Sequence, residues 1–284
     1  MEGLALSYSA LGEYQEAKEL QIIVLKRQKQ VLGENHQDTL RAIELEVMVL
    51  DKRKQVLGDS HPGTLCTMGR LAVTYTHLGE HQRAKELKLT VLEKQKQILG
   101  ESHPDTLRTM GNLANSYSAL GEHQEAKELH AIVLDKLKQV LGDNHPDTLR
   151  TMGNLANSYS ALGEHQEAKE LNAIVLNKQK QFLGENHPDT LRTMGNLANS
   201  YSTLGEHKKA QKLQVIVLEK QKQVLGENHP ETLRTMSNLA ISYSALGEHQ
   251  QAKELRFPVL EKQKQILGDN HPDTLEIGEP LGSM

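Results

Sequence analysis

The sequence predicts an all-α fold, a solenoid of antiparallel helical hairpins. Three observations carry this. The pair His-Pro falls at residues 61–62, 103–104, 145–146, 187–188, 229–230 and 271–272, always at the same interval. The block at 103–129 recurs letter for letter at 145–171. Within each period the apolar residues recur at spacings of three and four, the rhythm of one helical face. An array of one small unit buries each unit's apolar face against its neighbours and builds long surfaces rather than catalytic pockets.

The elements follow in chain order. Residues 1–35 make a partial repeat, since Met1 aligns with Met110 and the chain starts inside a first helix. Residues 36–60 make a truncated repeat. There His36 to Arg41 opens a unit, but Ala42-Ile43-Glu44-Leu45 follows at once and aligns with Ala126-Lys127-Glu128-Leu129. The stretch that stands at 109–125 in a full unit has no counterpart there. The two helices of that unit are expected to fuse into one, from about Asp38 to Leu57. This helix should pack antiparallel to one at about 13–32 and to the one starting near Pro62. The helix holding Leu4 and Tyr8 should then run opposite to that holding Leu71 and Tyr75. Residues 61–270 hold five full repeats, and 271–284 form an aborted repeat and tail. Solenoids need polar capping repeats, and neither end supplies one. The chain therefore reads as a piece of a longer array or as the product of a truncated gene, and the first alternative would place further repeats or domains beyond its ends.

One full unit, 103–144, shows why hairpins form. His103-Pro104-Asp105 opens a helix, because Pro suits a first turn and an acid there suits the positive end of the helix dipole. Leu107, Met110, Leu113, Ala114 and Tyr117 give its apolar face. Gly121 stops it by accepting the left-handed conformation of a C-terminal cap. A second helix is expected from about His123 to Leu141. Ala126, Leu129, Ile132, Val133, Val140 and Leu141 are its expected buried stripe, and Gly142 ends it.

Composition narrows the function. Net charge is −4 with 25% charged residues, which gives no bulk drive toward nucleic acid or an anionic membrane. The single Cys66 excludes an intramolecular disulfide and fits a reducing, cytoplasmic compartment. No apolar run approaches the roughly 20 residues of a membrane span. Seven of the 14 His lie in loops between units and five precede second helices, a full repeat apart, so they read as turn and cap residues and not as metal ligands. No phosphate loop, dinucleotide loop or HExxH motif is present, and Cys66 has no base and acid beside it. No cofactor and no catalysis are expected. The Met series (Met68, Met110, Met152, Met194, Met236) reads as core packing.

One polar pattern points to binding. The first-helix face opposite Leu113 and Tyr117 carries Arg108, Gly111, Asn112, Asn115 and Ser118. The next units repeat it with Arg150, Gly153, Asn154, Asn157 and Ser160, and with Arg192, Gly195, Asn196, Asn199 and Ser202. The following unit keeps Arg234 and Asn238 but has Ser237 and Ile241. The unit at 61–102 departs with Cys66, Arg70 and Val73. Stacked hairpins would align these residues into ladders. Asn donates and accepts, so it can pair with the backbone of an extended peptide. Gly lets that backbone approach, and Arg offers a fork for carboxylates.

These units resemble the tetratricopeptide repeat, on the rhythm Leu113-Ala114, Tyr117, Gly121, Ala126 within one hairpin. The 42-residue period exceeds the family's usual 34 or so. With LGxxHPDT between units and NLAxxYxxxG within them, the repeats are similar to the kinesin light chain variety. The resemblance implies a right-handed superhelix whose concave groove is lined by the polar face of the first helices. One departure is the residue four after Ala126, usually bulky and apolar and here polar: His130, Asn172, Gln214, Arg256. The expected function is a non-enzymatic interaction scaffold for a protein or extended peptide, with acidic residues suited to the arginines. The alternatives are a cargo adaptor of a microtubule motor and the sensor array of a larger signalling NTPase.

Overall fold

The computed structural model describes residues 37–267, and all regular structure among them is helical. The helices are α1 (Gln37–Leu57), α2 (Pro62–His77), α3 (His81–Leu99), α4 (Pro104–Ala119), α5 (His123–Leu141), α6 (Pro146–Ala161), α7 (His165–Phe182), α8 (Pro188–Thr203), α9 (His207–Leu225), α10 (Pro230–Ala245) and α11 (His249–Leu267). The chain divides into two compact units, the first ending at Ala126 and the second beginning at Lys127. The expected helices at 13–32 and around Leu4 and Tyr8, and the aborted repeat at 271–284, lie outside the described residues.

Local chemistry sets the boundaries of the hairpins. Each even-numbered helix starts at a His whose ring caps it. His103 Nδ1 accepts the backbone N–H of Asp105 at 3.2 Å, and His61, His145, His187 and His229 do the same in their repeats. The loop histidines are thus caps, which satisfy amides that a helix start leaves unpaired. Proline follows each at the first helical position. The even-numbered helices end at a left-handed glycine. At Gly121, φ is 79°, and Glu122 N–H returns to Tyr117 C=O at 2.9 Å. That six-to-one bond closes the helix end around a residue that would be strained with a side chain.

Helix α1 runs unbroken over Gln37–Leu57, as the deletion within this repeat leads one to expect. It packs antiparallel to α2. Arg53 donates to Gly63 C=O at 3.0 Å and Thr67 Oγ1 at 2.8 Å, whereas Glu46, two turns earlier, accepts from Arg70 at 3.1 Å and Thr74 at 3.2 Å.

The core is a series of repeating clusters. In the second unit Leu134, Leu149, Met152, Leu155 and Val175 form one, drawn from α5, α6 and α7. Leu176, Leu191, Met194, Leu197 and Val217 form the next. Every Met of the series is buried, and Ala114, Ala126, Ala156 and Ala168 have no exposed surface. The second-helix stripe differs from the sequence expectation at two positions. Ile132 and Val140 are exposed, at 48% and 47%, while His130, Leu134 and Leu137 are buried. Ile132 stands about 120° round the helix from Ala126. Val140 falls in the last turn of a second helix that is longer than the first helices.

Ion pairs join successive repeats. In the first unit Lys85 Nζ meets Glu122 at 2.6 Å and lies 4.6 Å from the Tyr117 ring. In the second, Lys127 meets Glu164 at 2.9 Å and Lys169 meets Glu206 at 3.0 Å, over Tyr159 and Tyr201 respectively. The hydrogen bond that Lys85 donates to Glu122 raises the Lys85 pKa above its ordinary value, and the one Lys127 donates to Glu164 does the same for Lys127.

Candidate functional site

The polar face singled out from sequence lies on the even-numbered helices. In the second unit α8 contacts both α6 and α10 directly, whereas α7, α9 and α11 make no comparable contact with one another. Two bonds cross it. Asn196 Nδ2 donates to Asn157 Oδ1 at 3.0 Å, and Asn238 Nδ2 donates to Asn199 Oδ1 at 3.0 Å. The asparagines therefore form a ladder that is bonded to itself. Each such bond uses one donor hydrogen and one lone pair of groups that have more. Asn154 shares the α6 part of the face, and Asn112 and Asn115 are exposed on α4 in the first unit.

The arginines are placed differently from a set of open forks. Arg108 bonds Asp105 at 2.6 Å, Arg150 bonds Asp147 at 2.7 Å, Arg192 bonds Asp189 at 2.8 Å and Arg234 bonds Glu231 at 2.6 Å. Each pair is one turn apart on its own helix and solvent-exposed, a kind of pair worth about 0–1 kcal/mol. An incoming carboxylate would have to compete with an acid already in place.

The glycines on this face have no internal reason to be there. A Cβ built on Gly153 or Gly195 meets nothing within 4 Å, and the same holds for Gly69 and Gly111 in the first unit. Gly inside a helix costs about 0.5–1 kcal/mol relative to Ala.

Beneath the face is a feature that the sequence shows but that sequence reasoning passed over as a departure. From residue 36 onward one position per unit, recurring with the repeat, reads Glu46, Lys88, His130, Asn172, Gln214 and Arg256. All but Arg256 are buried, at 6%, 6%, 1%, 1% and 2% exposure. In register with each, on the next even-numbered helix, stands a hydroxyl. Thr74 donates to Glu46, Lys88 donates to Ser116 at 2.7 Å, His130 Nδ1 stands 3.1 Å from Ser158, and Ser242 donates to Gln214 at 2.7 Å. Lys88 also bonds Thr76 of its own hairpin at 3.0 Å. Burial pushes the Lys88 pKa down to about 8 and that of His130 down to about 4. The signal that finds this position is the repeating series itself: with Gln21 of the partial repeat, seven polar side chains of six kinds in a place that should be apolar.

Cys66 is exposed. Among the described residues no group of three or more His, Cys, Asp or Glu could hold a metal ion, and no helix is long and apolar enough to cross a membrane.

Comparison with known proteins agrees with the fold. The sequence profile of the tetratricopeptide repeat matches residues 63–135, 120–173 and 209–255, and a second profile of the same description matches 1–38. No curated protein matches the chain at a significant level. Nearly identical TPR-like repeats ascribed to a kinesin light chain of Podosopora anserina are 34% identical, cover 73% of this chain and 98% of their own, and superpose with a TM-score of 0.61. BtubC (BKLC) from P. vanneervenii is 19% identical over 86% of this chain and 95% of its own, TM-score 0.66. NprR in complex with its cognate peptide NprX is 18% identical over 91% of this chain and 74% of its own, TM-score 0.59.

Proposed function

The chain belongs to the tetratricopeptide repeat family, with repeats of the kinesin light chain type, and on that footing we propose that it is a non-enzymatic scaffold holding an extended protein segment across α6, α8 and α10. The observation that carries this is the pair of bare glycines, Gly153 and Gly195, in mid-helix on a polar face with open space above them. Nothing inside the protein needs them, and each is a cost to its helix. A partner whose main chain passes close to the helix backbone would need them. The asparagine ladder supplies donors and acceptors suited to that main chain. The peptide held by NprR shows one protein of this fold engaged with a peptide.

The test separates binding from stability. Peptides are selected on the wild-type protein from a displayed random dodecapeptide library and measured by fluorescence anisotropy. Gly153→Ala with Gly195→Ala should raise the denaturant midpoint and weaken the selected peptides at least tenfold. Unchanged affinity, or no peptide enriched on the wild type, would overturn the reading. The 34% identity to kinesin light chain repeats favours a second reading, a cargo adaptor. Pairing with a motor heavy chain needs a heptad segment, so a coiled coil encoded upstream of these repeats would support it.

A further inference from the structure

The six-fold varied position beneath the polar face does not behave like drift in a packed core. Around it the repeats are letter for letter the same over 103–129 and 145–171, yet at 130 and 172 they carry His and Asn. An apolar residue would fill such a place at no polar cost, and none of the six units uses one. The partner on the next first helix explains why variety is tolerated. A Ser or Thr hydroxyl has one donor and two acceptor sites and rotates to suit, so it can meet an anion, a cation, an imidazole or an amide.

Within this series two positions of the second unit are left incompletely satisfied; elsewhere in that unit the buried Gln179 Oε1 and Gln221 Oε1 also lack partners. Asn172 is 1% exposed and its Oδ1 has no hydrogen-bond partner. Gln214 is 2% exposed; its Oε1 accepts from Ser242, but its Nε2 has no partner. Buried polar groups are nearly always paired, and an exception asks for a reason. The position is close to the proposed binding face. Ser200, the hydroxyl in register with Asn172, donates to the backbone C=O of Asn196 at 3.1 Å, and Asn196 is itself a rung of the ladder.

We propose that Asn172 and Gln214 are specificity-determining positions, each receiving a short, uncharged hydrogen-bonding side chain that a bound protein segment inserts between neighbouring first helices. Serine, threonine and asparagine have the right chemistry. The neighbour identified at Gln214, Ser242, is neutral, as is Ser200 in register with Asn172, so no charge there compensates a charge brought in, and burying an uncompensated charge is costly. An amide beside a hydroxyl can be turned over to present either its NH2 or its carbonyl, so the slot can meet a donor or an acceptor. The inference rests on the reading that a segment lies across α6, α8 and α10, and goes further by naming what that segment must carry.

The test uses the same dodecapeptide library on the whole chain. Peptides enriched on the wild type should share a Ser, Thr or Asn at a fixed place. Gln214→Leu and Asn172→Val remove the open amides. Their denaturant midpoints should hold or rise, while the enriched peptides weaken at least tenfold and selection on the variants loses that shared residue. If either variant unfolds, the exchange Asn172→Gln with Gln214→Asn, which keeps both slots polar, should still alter which peptides are enriched. Affinities within twofold of wild type, the same peptides selected from every variant, or a loss of binding that merely tracks a fall in midpoint would overturn the proposal. The Gly153→Ala, Gly195→Ala protein tells the two readings apart. If it loses all peptides while the slot variants lose none, the binding face stands and the slots fall. If nothing is enriched on the wild type, both fall.

Discussion

His130 should make the second unit acid-sensitive by an amount that one substitution removes. Its ring is 1% exposed, pressed against Ser158 Oγ at 3.1 Å, and burial holds its pKa down to about 4 against an ordinary value of 6.5. A group whose folded pKa is depressed contributes stability that is present above the unfolded pKa and lost as pH falls toward the folded one. Below about pH 6.5 the unfolded chain takes up a proton that the folded chain refuses. The linkage relation then gives a loss of about 2 kcal/mol by pH 5 and about 3 kcal/mol by pH 4, at 1.36 kcal/mol per pKa unit. Other histidines and the carboxylates titrate over the same range, so the measurement is a difference. Urea unfolding of wild type and His130→Asn is followed at pH 7, 5 and 4. Asn is what the next repeat carries at Asn172, in register with Ser200, so the variant should fold. The stability gap between the two proteins should move by about 2 kcal/mol in favour of His130→Asn between pH 7 and pH 5. A gap that stays constant with pH would refute the argument that this imidazole is buried neutral.

Lys88 offers the opposite window: with its pKa lowered to about 8 from 10.5, its burial penalty is full at pH 7 and fades as pH rises from about 8 to 10.5. Lys88→Gln should therefore stabilise the first unit at pH 7, by up to about 3 kcal/mol, and the advantage should shrink in urea titrations at pH 10. Ala156 has no exposed surface, so Ala156→Leu should lower the thermal midpoint, the equivalent of about 1–3 kcal/mol of overpacking. Glu167 is exposed, and Glu167→Leu should leave the midpoint within a degree or two; equal effects of the two would contradict the hairpin packing.

Much of the fold was legible because the period is strict. His-Pro and Gly mark helix starts and ends by local backbone chemistry, so the boundaries Pro104–Ala119 and His123–Leu141 could be read without knowing the packing. The long α1 followed from a plain deletion in the alignment of repeats. What was not legible depended on neighbours. Ile132 is apolar and sits near the buried stripe, yet about half of it stays exposed, and sequence spacing alone does not show where the next hairpin ends. The arginines looked like open forks because helical spacing places Arg108 and Asp105 one turn apart but does not show that they turn toward each other. The same limit hid the asparagine ladder, since Asn157 and Asn196 belong to different repeats and meet only through stacking. The buried polar series was visible as letters, but its meaning required the hydroxyl that stacking brings from the next first helix.

That hydroxyl changes how a nearly uniform array should behave. In a solenoid, stability is a sum of unit terms and neighbour-interface terms, and identical units would make every interface alike. Here the interfaces share their apolar contacts, Leu149, Met152 and Leu155 recurring as Leu191, Met194 and Leu197, but differ in the polar pair each buries at this position, and also where Leu137 gives way to Gln179 and Gln221. Glu46 gains a cation from Arg70 as well as a hydroxyl. Lys88 has hydroxyls only, and no carboxylate offsets its charge. Asn172 and Gln214 each keep one unpaired polar end. At neutral pH the Lys88 junction and the two amide junctions should therefore be the weak links within their respective units, although the sequence around them is the most repetitive in the chain. Opening of those junctions is also what would admit a partner's side chain between first helices. A position that weakens the interface and one that reads the partner are, on this physical account, the same position.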